Sequence, residues 1–357
     1  MIGDRLKLAR SASGLSLREL EDRLGGLVSA QAIGKYERNE MMPGSEILIA
    51  LARSLDVSEE YLLRRGDIEL VDVEFRKQRL DKARDRARVE AQVLAAVERY
   101  IEIEDLLAIT SAWQAPDTFP RKIRRPEDAE RAAADLREEW ELGADPIPNL
   151  AEFLEEKSIK IVSVSLPERV SGVKATVKKA DGKPVQVIVL NGDHPGDRQR
   201  FTLAHELGHF LLYGGTDAEE LCHRFAGAFL VPAETLQREI GGRRTSLSVR
   251  ELFYLKELFG VSAQAIVYRC ADLGIINESL KRELFIVFGK RGWRKEEPNP
   301  IQKEQPARFR RLCLRALSEQ VISVSKAAEL LDVGARELLA SLDEPPPASA
   351  DDSSPGV

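Results

Sequence analysis

The feature that most constrains this chain is a pentapeptide, His205-Glu206-Leu207-Gly208-His209, set in the periodic segment RFTLAHELGHFLLYG. The spacing of apolar residues there predicts a helix, and residues four apart on a helix lie one above the other. Both imidazoles can therefore reach one ion from the same face. Glu206 is turned from their axis by about a quarter turn, close enough to hold a water beside that ion. Two imidazoles with a neighbouring carboxylate in this spacing are the makings of a zinc hydrolase. The chain holds four histidines, and three of them, His205, His209 and His223, fall within nineteen residues. Clustering in so His-poor a chain favours a metal site over scattered surface imidazoles.

A catalytic zinc takes a third protein ligand and keeps one position open for water. The candidates are Asp217, Glu219, Glu220 and His223, which follow the turn Gly214-Gly215. On a helix, Glu219 shares a face with Cys222, His223 and Ala226, the side expected to pack on the histidine helix. Glu220 is spaced to pair with Arg224 in solvent. Glu219 is therefore the expected third ligand. His223 is the first alternative, or else a supporting group for the transition state. Cys222 reads as a small buried residue. The expected cofactor is Zn2+, and the expected chemistry is peptide-bond hydrolysis with Glu206 as general base. The strand expected at Pro184–Asn191, just before the histidine helix, could accept an extended substrate if it forms a sheet edge.

The rest of the chain sets the frame. Its 357 residues are enough for two or three domains. The net charge of −6 excludes a uniformly basic nucleic-acid binder. Residues 1–66 balance ten basic against ten acidic side chains, so DNA binding there must depend on arrangement. A local excess lies at Arg76–Arg88, with seven basic residues against Asp81 and Asp85. It reads as a solvated helix face or as a phosphate-contacting extension. The three cysteines, odd in number and widely spaced, fit a reducing compartment, and the N-terminus has no signal-peptide pattern. A cytoplasmic protein is expected, without a membrane partner.

The expected fold is mainly α with a small β-sheet. It comprises an N-terminal five-helix module (1–66), a helical linker (67–146), an α+β zincin-like domain (147–275), C-terminal helices (276–344) and a tail of disordered composition (345–357). Ser16 with Glu19 forms a capping box, and Ser29, Ser45 and Ser58 mark later helix starts. Residues 71–109 read as one or two amphipathic helices and 110–126 as a linker. Three β-rich runs at 160–166, 172–180 and 184–191 follow, with a hairpin turn at Asp181-Gly182. Residues 277–300 read as irregular, with a short strand at Leu284–Phe288. Around Ser325–Leu339 the sequence has a second helix-turn-helix flavour without a clear basic surface, and reads as structural or partner-binding.

Two family resemblances cover much of this. RFTLAHELGHFLLYGG followed by EELCHRFAGAFLVPAE is similar to the ImmA/IrrE family of bacterial metallopeptidases, over roughly residues 147–275. That resemblance also maps the third zinc ligand onto Glu219, and departs from the family in having His223 where Asn is commoner. It implies cleavage of a partner repressor or antitoxin-like protein. Residues 1–66 resemble the XRE-type helix-turn-helix of phage repressors, through Ser16–Leu20, Val28-Ser29, Ile33, Tyr36-Glu37-Arg38 and Pro43. The recognition helix would then begin at Ser29 and turn Ala30, Gln31, Gly34 and Lys35 to the major groove of operator DNA. Gln31 suits adenine and Lys35 suits guanine or phosphate, with Arg18 and Arg38 as phosphate contacts. Such modules bind paired half-sites, so a homodimer is expected. The whole then reads as a DNA-binding regulator with zinc-dependent endopeptidase activity. The alternative is a transcription factor whose zincin-like domain senses a signal or partner without proteolysis.

Overall fold

A computed structural model of the chain describes residues 2–63, 68–75, 83–109, 113–179, 184–214 and 218–343. It opens with five helices, α1 (Ile2–Ala12), α2 (Leu17–Arg23), α3 (Ala30–Glu37), α4 (Ser45–Leu55) and α5 (Glu59–Leu63). Ser16 Oγ accepts from Glu19 N while the Glu19 carboxylate accepts from Ser16 N. This reciprocal cap stabilises α2 by about 1 kcal/mol. Ser29 caps α3 through Ala32 N, and Ser58 accepts from Tyr61 N at the start of α5. Leu6, Leu20, Ile33, Leu51 and Leu62, one from each helix, share a buried core. Where α1 meets α3 only a glycine fits, because a Cβ on Gly3 would stand 2.4 Å from the Tyr36 carbonyl oxygen.

Next come β1 (Ile68–Phe75) and the long helix α6 (Ala83–Leu106). The strand corrects the expectation of helix from residue 71. IELVDVEF alternates apolar and charged residues on either side of Leu70-Val71, where the register shifts, which suits a strand with one irregularity, and it pairs antiparallel with a later one. Of the basic run, residues 76–82 lie outside the described residues, while Arg86 and Arg88 are exposed on α6.

The following elements build the α+β part: β2 (Arg121–Lys122), α7 (Pro126–Glu139), α8 (Leu150–Glu156), β3 (Lys160–Val164), β4 (Gly172–Lys179) and β5 (Pro184–Asn191). Then come α9 (Gly196–Leu211), β6 (Leu212–Tyr213), α10 (Ala218–Leu230), α11 (Ala233–Ile240), α12 (Val249–Phe259), α13 (Ala263–Asp272) and α14 (Glu278–Lys290). The main sheet runs β1-β4-β5-β3, with β3 parallel to β5 and the other pairs antiparallel. β5 is thus an inner strand, hydrogen-bonded on both sides. That overturns its expected role as a docking edge: its run VIVLN is buried throughout or nearly so, as an inner strand requires. The turn at Asp181-Gly182 lies outside the described residues.

The strand expected at Leu284–Phe288 is instead the middle of α14. LFIVF is β-prone in isolation, but Leu280, Leu284 and Phe288 recur every four residues on one buried face, and Asn277 caps the start. Tertiary burial decides the matter, as it commonly does for short apolar runs. After α14 an extended strap, residues 294–306, leads to α15 (Arg308–Ser318), α16 (Val324–Leu331) and α17 (Ala335–Asp343). The tail from 344 lies outside the described residues.

Two compact units result, neither contiguous in sequence. Residues 1–66, 94–110 and 307–357 make one, and residues 67–93 and 111–306 make the other. In the first, the C-terminal helices hold to the later half of α6. Tyr100 stacks on Phe309 at 5.4 Å, Arg308 meets Glu104 at 3.3 Å, and Lys326 meets Glu102 at 2.9 Å. In the second, β3–β5 and α7–α14 enclose one large core. Among the described residues no helix is long and apolar enough to cross a membrane.

Candidate metal centre

Helix α9 packs under β4 and β5 and is buried along most of its length. His205 and Glu206 are both inaccessible, and His209 is partly open to solvent. Glu219 sits in the first turn of α10, where a carboxylate is also favoured by the helix dipole. The two helices close on one another at Gly208. A Cβ there would lie 3.1 Å from Phe225 Cδ1 and 3.5 Å from Cys222 Cβ. This close approach sets the carboxylate of one helix against the imidazoles of the other.

The result is a convergent donor set. His205 Nε2 and His209 Nε2 are 2.9 Å apart. Glu219 Oε2 lies 3.2 Å from His205 Nε2, and Glu219 Oε1 lies 3.7 Å from His209 Nε2. A four-coordinate zinc with ligands at about 2.0–2.2 Å would hold adjacent donors about 3.3 Å apart. The three separations bracket that spacing, so the residues fit the ion. The set is closed on one side and open on the other. The His205 side chain is 0% exposed and that of Glu219 is 45% exposed. Such asymmetry is what a reactive centre needs, where a structural zinc would be enclosed.

His223 stands outside the three-residue set. Its ring lies 4.4 Å from the His205 ring and stacks on Phe201 at 5.7 Å. It is exposed, and flanks the centre. Cys222 Sγ lies 3.7 Å from His209 Nδ1, on the far side of that imidazole from the donor set. Burial pushes the thiols of Cys270 and Cys313 up to about 12, so neither is poised to react. Glu220 does not engage Arg224 as expected. Arg224 turns to Glu130 and Asp272, partners remote in sequence. Asp217 lies outside the described residues.

Three supporting groups had no partner legible in the sequence. Lys174 of β4 donates to the His209 carbonyl oxygen at 3.3 Å, at the end of α9 where carbonyls lack helical partners. Arg200, one turn before the histidines, donates to Glu304 at 2.9 Å within the core. Glu304 in turn accepts from Ala151 N, at the start of α8. Those partners lie too far along the chain for periodicity to reveal them.

In the helix-turn-helix, Gln31 and Lys35 are exposed four residues apart on α3, its N-cap Ser29 is exposed, and Arg18 is exposed on α2. Ile33 and Tyr36 are buried, as core residues should be. Gly34 is a correction: it is buried, with Arg38 Nη1 3.3 Å and Leu17 Cδ1 3.5 Å from where a Cβ would stand, so it is covered and not turned to a groove. Ala30 is half-buried. Arg38 is exposed but bidentately paired with Glu40, at 2.7 and 2.9 Å, which neutralises it as a phosphate contact until that pair opens.

Known proteins give both halves a context. Residues 155–271 match the family model for the IrrE N-terminal-like domain, and residues 6–62 match that for the helix-turn-helix. The radiation response metalloprotease IrrE of Deinococcus deserti is 34% identical over 103 residues, covering 24% of this chain and 36% of that protein. The SPbeta prophage-derived uncharacterized HTH-type transcriptional regulator YonR of Bacillus subtilis is 38% identical over 64 residues, covering 18% and 57%. The chain therefore spans about a third of one relative and somewhat over half of the other. It joins an XRE-type helix-turn-helix segment to a domain similar to the IrrE N-terminal-like family.

Proposed function

We propose that this fusion is a DNA-binding transcriptional regulator that also acts as a zinc-dependent endopeptidase on a repressor or antitoxin-like protein. The observation that carries the reading is the convergence of His205 Nε2, His209 Nε2 and a Glu219 carboxylate oxygen at zinc-like spacing, with Glu206 buried beside them. Zinc bound there would supply a Lewis acid for both the attacking water and the scissile carbonyl. Glu206 takes the proton of the attacking water and returns it to the leaving amine. His223, flanking the donor set, is positioned to donate a hydrogen bond to the carbonyl oxygen as negative charge develops on it.

At the other end, Gln31 and Lys35 read operator base edges while Arg18 and Ser29 hold the backbone; Arg38 joins them once released from Glu40. A homodimer on paired half-sites is the natural arrangement for such a module. The work takes place in the cytoplasm, where operator DNA is available and three buried thiols stay reduced.

The test uses Glu206→Gln. Zinc content should stay near wild type, because all three ligands remain. Cleavage of proteins encoded beside this gene, followed by mass spectrometry, should disappear. Cleavage that persists in the variant would remove Glu206 from its role. A zinc-loaded wild-type chain that binds such a protein and leaves it whole would instead support the sensing alternative.

A further inference from the structure

The α+β unit carries a broad open groove of about 1820 Å³ whose lining ends beside the candidate metal centre, at His223 and Phe201. Small-molecule sites span about 300–1,000 Å³, so this one is sized for a chain. One wall is the end of α14 with the strap that follows it, which together carry Arg291, Arg294, Lys295 and Lys303. All four are exposed.

The charges around the groove divide into two kinds. Lys256 is held between Asp197 and Glu297, and Arg269 is held by Glu130. Those cations are neutralised and structural. The cations of this wall meet only neutral partners. Arg294 donates twice to the Phe285 carbonyl oxygen, Lys303 donates to that of Gly192, and Arg291 lies over the Trp293 ring. Among the described residues, none of the four forms an ion pair. Glu296 interrupts the wall, and Asp193 and Glu220 lie elsewhere on the lining. The floor includes the exposed ring of Tyr268.

We propose that this groove holds an extended, acid-bearing stretch of the polypeptide substrate, whose carboxylates pair with Arg291, Arg294, Lys295 and Lys303 while its scissile bond lies at the metal centre. The inference rests on the endopeptidase reading and names the substrate's chemistry within it. Four uncompensated cations on one wall favour an anionic guest. A nucleic acid is the poorer fit, since Asp193, Glu220 and Glu296 would each face a continuous phosphate chain. A polypeptide can place its acids opposite the strap and neutral residues elsewhere.

The test is binding, measured without turnover. In the full-length Glu206→Gln chain, a fluorescein-labelled peptide of alternating Glu and Ala is titrated by anisotropy against Lys/Ala and Ser/Ala counterparts. The acidic peptide should bind best and weaken as salt is added. The double variant Arg291→Glu/Lys295→Glu should weaken it at least about tenfold. Arg243→Glu, exposed but outside the lining, should leave it unchanged. Thermal melting checks the fold; should the double variant not fold, Lys295→Gln must still weaken binding and flatten its salt dependence. Equal binding of all three peptides, or no effect of these substitutions, overturns the proposal. So does displacement of the peptide by oligothymidylate at lower concentration, which would make the groove a nucleic-acid site. If the peptide binds as expected but no protein is ever cut, the endopeptidase reading alone fails. If proteins are cut but the peptide does not bind, the groove alone fails.

Discussion

Gly208 stands where the two helices of the metal centre come closest. Two effects compete there on substitution. Replacing a mid-helix glycine by alanine gains about 1 kcal/mol of helix propensity, while a new Cβ 3.1 Å from the Phe225 ring forces that ring to move. Alanine can therefore come out near neutral. Valine adds two further methyl groups to the same gap, and overpacking of this kind costs about 1–3 kcal/mol. Gly208→Val should lower the denaturation midpoint and weaken zinc binding in a chelator competition, because α10 carries Glu219. A variant with wild-type stability and zinc affinity would show that helix spacing does not set the centre. At this scale the sequence was informative wherever the partner is local. The four-residue spacing of His205 and His209 and the face shared by Glu219 and Cys222 follow from helix geometry alone. Gly34 was misjudged because its burial depends on Leu17 from another helix. Arg224 was misassigned because Glu130 and Asp272 satisfy it from afar.

Among the elements, the strap is the one that periodicity could not see. It has no repeat of its own, and two buried carboxylates fix it in place. Glu297 accepts from Ala263 N and Gln264 N at the start of α13 and also meets Lys256. Glu304 accepts from Ala151 N and from Arg200, which sits on the same helix as the histidines. Removing one partner of a buried ion pair leaves the other charge unmet and costs about 3–5 kcal/mol. Glu304→Ala should therefore destabilise the peptidase unit by that order in urea unfolding, with Glu304→Gln losing less. A loss under about 1 kcal/mol would mean that Arg200 finds water instead, as surface pairs do. Elements with strong local patterns were legible: the capped helices of the first module, and the strands β3, β4 and β5. Strand β1 was not, since its alternation breaks at Leu70-Val71 and its partner β4 lies about a hundred residues downstream.

For the whole molecule, the order of the chain and the order of its compact units differ. The last three helices join the unit that begins the sequence, through Glu102 and Glu104 of α6. Recognition of DNA is the property to test on the intact chain. It should retard DNA from upstream of its own gene in a salt-sensitive way. Gln31→Ala should cost about 1–3 kcal/mol of that binding if it contacts a base edge, and Lys35→Ala should also shrink the salt slope. Affinity that ignores both substitutions would remove α3 from the interface. One further consequence follows from β1. Its backbone already satisfies the outer donors and acceptors of β4 from Val173 to Lys179. A visiting strand finds that berth taken, and would have to evict the resident before lying down there.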